Sequence, residues 1–594
     1  MSPGPVHPRP QLTRPSWRSL DGIWDFAIDR SGAWSGTEQV RWDRRIRVPF
    51  APETPASGVG ETDFFNACWY RRSFDAPRLT GDERLILHLG AVDYSARVWV
   101  NGVEVVRHEG GYTPFSADIT DVLRDGPQTV TLRAEDDPLD FAKPRGKQDW
   151  MRESHSIWYP RTSGIWQTVW LEVVPTTHIG TLCWTPNLEH WEITLRAILG
   201  GRLRPGLRLR VHLSVANETI ADDTYSVVGG EVNRRIAPSD PGVDDYRNSL
   251  LWSPANPTLI DAHLELWGAR GEKLDDVRSY TALRSVAVQG DRFLLNGRVQ
   301  TLRMVLDQGY WPESGMTAPD DDALRRDVEL AKAMGFNGVR KHEKIEDPRY
   351  LYWADHLGLM VWEEMPSAYR FSSESVERLT SEWTQVIRRD RSHPCIVAWV
   401  PFNESWGVPD LPTIPAQRHY VQALYHLTKT LDSGRPVVGN DGWESTATDI
   451  IGIHDYDEDP ERLARRYDRP DVLPQLFRHG RPGGRLLTIE GHPHAGEPIM
   501  LTEFGGIAVG EECGKEWGYS RCATADEFAE RYRRLLEVVR SSELLAGFCY
   551  TQFADTYQET NGLLHGDRRP KIPLDEIARA TAGRLATTIA RAPS

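Results

Sequence analysis

Asp320-Asp-Asp-Ala-Leu-Arg-Arg-Asp-Val-Glu-Leu-Ala-Lys-Ala-Met334, followed by Gly335 and then Phe336-Asn-Gly-Val-Arg340, is the stretch on which the fold turns. An acidic first turn, apolar residues at Leu324, Val328 and Ala331, and a glycine stop describe a helix. The run behind it describes a buried strand. Downstream the same alternation repeats, with strands expected at 299–306, 336–340, 359–363, 395–402, 435–440, 449–454, 498–503 and 544–551. The fifth, within Gly434-Arg-Pro-Val-Val-Gly-Asn440, is short. Eight strands separated by helical segments is the count of a (β/α)8 TIM barrel, expected over 287–594.

Upstream the period is two. Leu207, Leu209, Val211, Leu213 and Val215 alternate with Arg208, Arg210, His212 and Ser214, and Ala262-His-Leu-Glu-Leu-Trp267 repeats the pattern. Residues 176–286 therefore read as an immunoglobulin-like β-sandwich. Residues 1–175 carry short strands and turns, among them Ala96-Arg-Val-Trp-Val100, the Asn101-Gly102 turn and Val103-Glu-Val-Val106. They read as an antiparallel, jelly-roll-like sandwich.

The composition narrows the function classes. The 594 residues are 40% hydrophobic and 26% charged, and 70 basic against 85 acidic residues give a net charge of −15. That balance argues against general nucleic-acid or anionic-membrane binding. No apolar run is long enough to span a bilayer, and Met1–Pro10 has no apolar core of a secretory signal. Six scattered cysteines without CxxC spacing fit reduced thiols in a cytoplasm, and Cys513 and Cys522 read as chance neighbours rather than a pair. Trp residues number 22, against 19 Tyr and 16 Phe. Indole faces stack on sugar rings, although most of these Trp are expected in cores.

Two carboxylates end strands of the barrel. Cys395-Ile-Val-Ala-Trp-Val-Pro-Phe-Asn403 runs into Glu404-Ser405-Trp406-Gly407, and Pro498-Ile-Met-Leu-Thr502 runs into Glu503-Phe504-Gly505-Gly506. Functional residues of such barrels gather at the C-terminal strand ends. A carboxylate pair there suits glycoside cleavage, in which one group protonates the leaving oxygen and the other attacks the anomeric carbon or activates water.

The chain resembles glycoside hydrolase family 2, the group of β-galactosidases, β-glucuronidases and β-mannosidases. The resemblance lies in Arg14-Pro-Ser-Trp-Arg-Ser-Leu-Asp-Gly-Ile-Trp24, Gly90-Ala-Val-Asp-Tyr-Ser-Ala-Arg-Val-Trp-Val-Asn-Gly102, Thr162-Ser-Gly-Ile-Trp-Gln167, Phe293-Leu-Leu-Asn-Gly297, Arg389-Asp-Arg-Ser-His-Pro394 with Asn403-Glu404, and Leu501-Thr-Glu-Phe-Gly505. It implies a retaining double displacement, with Glu503 as nucleophile and Glu404 as general acid/base. It further implies that Asn403 binds the hydroxyl beside the anomeric carbon, that Tyr456 of His454-Asp-Tyr456 holds the nucleophile, and that Arg340 keeps it ionised. His342 and Glu343 then lie where a sugar is within reach. The charge of Glu503 is expected to raise the pKa of Glu404.

Departures from the family bear on the substrate. Asn561 is followed by Gly562 and Leu563, so the Asn-x-Lys grip on a uronate of the β-glucuronidases is missing. The Asn-His-Glu set of large β-galactosidases is replaced by Asp307-Gln308-Gly309-Tyr310-Trp311. Asp307 is expected to grip two sugar hydroxyls, Trp311 to stack or cover, Trp406 to wall the aglycone side, and Gln552 to face the pocket or a neighbouring strand. Glu363-Glu364 reads equally as a brace or a substrate contact, and Lys143-Pro-Arg-Gly-Lys-Gln-Asp-Trp150 as a loop over the barrel or a solvated one. Some relatives use Mg2+ or Na+, but no residue set here requires a metal or cofactor. His492-Pro-His494 lacks a third ligand. The reading is an exo-acting retaining glycoside hydrolase acting on a glycoside or oligosaccharide, β-galactosidase-like by default and compatible with a homo-oligomer. Its alternatives are an arabinosidase, galactofuranosidase or β-mannosidase, and a non-catalytic carbohydrate-binding protein.

Overall fold

The helix at the turning point forms over Asp321–Ala333, with the Asp320 side chain accepting from the Ala323 N–H and with Leu324, Val328 and Ala331 buried. The structure is a computed structural model and describes residues 7–239, 249–480, 482–510 and 516–583. Cys513 lies outside them, so its relation to Cys522 does too.

Seven parallel strands curl around the barrel axis in the order Ile396–Val400, Met360–Glu364, Gly338–Lys341, Leu302–Asp307, Leu545–Tyr550, Ile499–Glu503 and Ile451–His454. All residues of the Met360–Glu364, Ile396–Val400, Ile499–Glu503 and Leu545–Tyr550 strands are buried, as expected where helices cover a sheet. The fifth expected strand is not a regular one. Residues 436–442 instead close the gap through single bridges, Trp399 to Val437 and Asn403 to Asp441. Pro436 has no N–H to give a ladder, and Gly439 and Gly442 weaken the extended run.

Before the barrel, a six-stranded sheet and a four-stranded sheet enclose a core that includes Trp24, Phe26, Tyr70, Leu87, Val98 and Leu132. The Asn101-Gly102 turn joins Ser95–Val100 to Val103–Glu109, both turn residues having positive φ, 52° and 82°. The next sandwich pairs a three-stranded and a four-stranded sheet over Leu209, Val211, Leu213, Leu264 and Val277. Tyr112, Tyr159 and Trp166 of the first sandwich join the barrel's own hydrophobic cluster, so its loops are anchored on the barrel. Among the described residues no helix is long and apolar enough to cross a membrane.

Candidate active site

Each key side chain is placed by the end of a barrel strand. Arg340 belongs to Gly338–Lys341, His454 ends Ile451–His454, and Glu503 ends Ile499–Glu503, with His454 and Glu503 register partners. Glu404 lies beyond Ile396–Val400 in the left-handed region, at φ 52°, and Ser405 follows at φ 59°. Such conformations cost on the order of 1–3 kcal/mol each and persist where neighbours enforce them. Here the Glu404 N–H donates to Asp441 O at 2.9 Å. The Ser405 N–H donates to Asn440 Oδ1 at 3.0 Å, and its hydroxyl to Glu444 Oε2 at 2.7 Å. The irregular fifth segment thus aims Glu404.

Around these backbones stands one charged network. Tyr456 Oη donates to Glu503 Oε2 at 2.6 Å, and Arg340 Nη1 donates to Glu503 Oε1 at 3.0 Å. The same guanidinium reaches Glu364 Oε2 at 2.6 Å, Asp441 Oδ2 at 2.9 Å and Asn403 Oδ1 at 2.6 Å. His454 Nδ1 is 2.7 Å from Glu404 Oε1, and its Nε2 is 3.4 Å from Glu503 Oε1. Donor atoms of Glu404, His454 and Glu503 lie within 4.8 Å of one another.

The electrostatics differ from the sequence expectation at one point. Burial opposes a charge on His454, but Glu503, Asp441 and Glu404 outweigh it and push its pKa up to about 10. Burial likewise raises Glu404, yet the hydrogen bond and charge of His454, helped by Lys147 and Arg340, hold its carboxyl below the usual value. The expected upward shift from Glu503 is therefore reversed, because an imidazolium stands between the two carboxylates. Burial and the nearby Glu503 raise the Tyr456 phenol well above its ordinary value, which keeps it a donor.

The structure brings Asn403, Glu404, Glu503, Arg340, His454 and Tyr456 together. His342 lies beside them, Nδ1 2.8 Å from Glu364 Oε1, and burial holds its ring neutral. Trp406 packs edge-on to Trp158 at 5.6 Å and Tyr369 at 5.2 Å, so it belongs to an aromatic wall. Three expected contacts fall outside the network. Asp307, expected to grip sugar hydroxyls, is ion-paired with Lys341 at 2.7 Å and accepts from the Gly309 N–H at 2.9 Å. The two are register partners on adjacent strands, which favours the pair over a free carboxylate. Gln552 is held between Gln308 and Asn561, and Trp311 is buried under Lys344 and Arg568. Glu364 is a brace for Arg340, whereas Glu363 faces Arg389 at 4.0 Å.

Sequence reasoning missed Asp441 and the single residue Lys147. Asp441 follows the fifth segment, whose lack of regular strand character hid its inward direction; Gly452 makes room for it, since a Cβ there would land on its carboxylate. Lys147 arrives on the loop over the barrel. That loop is tied down by Arg145 N–H and Gly146 N–H to Ser367 O at 3.0 and 3.1 Å, and by Tyr369 Oη to Gly146 O at 2.6 Å. The alternative of a solvated loop is excluded, since residues 143–149 are all buried. A second set of possible metal donors, Asp355, His393 and Cys395, is closed among its own members, with the Cys395 N–H and His393 Nδ1 both on the Asp355 carboxylate.

Residues 286–581 match the family model described as glycosyl hydrolases family 2, TIM barrel domain, and residues 58–166 match the glycosyl hydrolase 2 galactose-binding domain-like model. A β-galactosidase of Thermoanaerobacter pseudethanolicus is 27% identical over 66% of this chain and 51% of its own, so the match spans about half of that relative. A β-glucuronidase of Mus musculus is 26% identical over 74% of this chain and 71% of its own. In fold, the chain is similar to the solved Bifidobacterium dentium β-glucuronidase complexed with coumarin-3-O-glucuronide, with a TM-score of 0.77 and 20% identity over 96% and 98% of the two chains. It is also similar to an Eisenbergiella tayi β-galacturonidase bound to galacturonate, with a TM-score of 0.73 and 20% identity over 97% and 98%. With barrel and sandwich both matched in the family's order, the chain belongs to glycoside hydrolase family 2.

Proposed function

We propose that the chain is a retaining exo-glycosidase that releases a terminal sugar, β-galactosidase-like in type, by double displacement. The observation that carries this reading is the proximity of the two carboxylates, one oxygen of each lying within 4.8 Å of the other. Retaining enzymes hold them about 5–5.5 Å apart, whereas inverting ones leave about 6.5–9.5 Å for a water.

In the first step Glu503 attacks the anomeric carbon, the glycosidic bond breaks, and the leaving oxygen takes a proton through Glu404. In the free protein that proton resides on the His454 side of the Glu404–His454 hydrogen bond, and the approach of the leaving oxygen draws it across. Arg340 and Tyr456 each donate to one oxygen of Glu503 and so orient it before attack. Asn403, its oxygen taken by Arg340, has two N–H donors for the hydroxyl beside the reacting carbon, a contact that strengthens as positive charge develops on the sugar. In the second step Glu404 takes a proton from water, which attacks the glycosyl ester and restores Glu503.

The β-glucuronidase relatives favour a uronide as the second reading. Against it, Asn561 has no Lys two residues on, and its amide is already engaged by Gln552 and Glu559. The reported relatives favour none of the other readings.

The test is release of 4-nitrophenol from α- and β-pyranosides and furanosides by wild type and Glu503→Gln. Hydrolysis of a β-glycoside, reduced at least about a thousandfold in Glu503→Gln, is expected. Activity surviving in a contamination-free Glu503→Gln protein would sink the nucleophile assignment.

A further inference from the structure

Two buried groups beside Glu404 have no work in the mechanism. Lys147 is 5% exposed and, among the described residues, its ammonium makes no ion pair and no hydrogen bond. The residue before it, Gly146, runs directly against the Glu343 carbonyl and is tied to Ser367, which brings Lys147 to the barrel end, where its charge acts on Glu404, Glu343, Glu559 and His342. Glu343 is 2% exposed, and both its carboxylate oxygens are buried without a well-formed hydrogen bond, with Lys147 and Ser367 beside them. Its backbone is held at φ 47°, in the left-handed region, by a hydrogen bond from its N–H to Glu364 Oε1 at 2.9 Å. Buried acceptors left without a well-formed hydrogen bond cost on the order of 1–3 kcal/mol or more, so the Glu343 carboxylate, with the Lys147 charge acting on it, is suited to accept from a polar ligand.

The charge around the pair says which kind. Glu343, Glu364, Glu404, Asp441, Glu503 and Glu559 face Arg340, His454 and Lys147, six carboxyl groups against three cations. Arg340 and His454 are already spent on carboxylates of the network. Among the described residues of this cluster, a further carboxylate would meet Lys147 as the one cation without an ion pair, set against Glu404, Asp441 and Glu503, while burial pushes Glu343, Glu364 and Glu559 toward the neutral acid. Sugar hydroxyls, which donate to Glu343 and accept from Lys147, carry no such penalty.

We propose that Lys147 and Glu343 form the glycone-reading pair of this site and select an uncharged sugar through its hydroxyls. The proposal rests on the hydrolase reading for where the sugar sits. It makes the sandwich loop a specificity element, since Lys147 reaches the barrel only because Gly146 passes where a Cβ would land on the Glu343 carbonyl.

The experiment is calorimetric titration of wild type, Lys147→Gln and Glu343→Gln with phenyl 1-thio-β-D-galactopyranoside and glucopyranoside, and with the uronic-acid counterpart of each. The sulfur linkage resists hydrolysis, so binding is read apart from turnover. Wild type should bind at least one neutral sugar about 10-fold or more tighter than its uronate. Each variant should weaken that binding about 10-fold or more while its unfolding temperature stays near that of wild type. A uronate bound as tightly as its neutral partner overturns the proposal. Unchanged affinity in both folded variants, or no binding of either neutral sugar at high millimolar concentration, also overturns it. The expected binding pattern without turnover of any O-glycoside would sink the hydrolase reading and leave the pair standing.

Discussion

Arg340 and Lys341 are consecutive residues of one strand, and they anchor two buried charge clusters of opposite character. Lys341 binds Asp307 at 2.7 Å and Glu346 at 2.8 Å, and Lys344 binds Glu346 at 2.9 Å. Two cations meet two carboxylates, and the cluster is closed. On the other face of the strand Arg340 meets Glu364, Asp441 and Glu503, with His454 as the second cation among them. A strand alternates its faces, so adjacent cations serve separate neighbourhoods. The closed quartet has the composition of a brace. The open cluster keeps more carboxyl groups than cations and includes Glu503, the nucleophile proposed above.

The comparison can be broken most sharply at Arg340. Replacing it by Met leaves three buried carboxylates without their shared cation, so activity should fall at least about a thousandfold and stability by about 3–5 kcal/mol, read by kinetics and urea unfolding. A protein of wild-type stability would show that the cluster is not held by this residue. Next comes Tyr456→Phe, which removes the 2.6 Å hydrogen bond to Glu503. We expect kcat to fall about 10- to 100-fold, with little change in unfolding temperature.

On the brace side the pattern should invert. Asp307→Asn is expected to cost about 1–3 kcal/mol while kcat/KM stays within about threefold of wild type. A large loss in kcat/KM with stability intact would return Asp307 to the sugar.

Smaller still are the pH effects, which separate the clusters by sign. His454 has a folded pKa of about 10, above its ordinary 6.5, so its stabilisation is complete below about pH 6.5 and is lost as pH rises through 10. Glu346, which burial would raise but Lys341 and Lys344 hold down at about 2, gives stability that is complete above about pH 4.5 and is lost as pH falls through 2. Thermal melts across pH should therefore lose an alkaline component in His454→Asn and an acidic one in Glu346→Gln. Trp406→Ala comes last: opening the aromatic wall should raise KM a few-fold for aryl glycosides and leave kcat nearly unchanged.

Much of this was legible in the chain. The helix at Asp321–Ala333, the alternation of Leu209, Val211 and Leu213, and the strands leading to Glu404 and Glu503 follow from periodicity and local stops. Those signals depend on near neighbours, which the sequence records directly. The resemblance added Arg340 and Tyr456, both of which the structure places on Glu503.

What the sequence left open depends on residues far apart in the chain. Asp307 reads as a free strand-end carboxylate until the register sets it opposite Lys341. Asp441 lies past a segment with no regular strand, and it is the curl of the barrel that turns it onto Arg340. Lys147 sits nearly two hundred residues before Glu343 and about 257 before Glu404, in the first sandwich rather than the barrel, and the docking of that sandwich on the barrel brings its loop to them. The sequence alone determined most of the elements, the family and the two carboxylates at strand ends, because these are written in local pattern and chain order. Tertiary structure alone decided which charges neutralise one another and which stay unpaired, because a Coulomb interaction depends on distance in space and not along the chain.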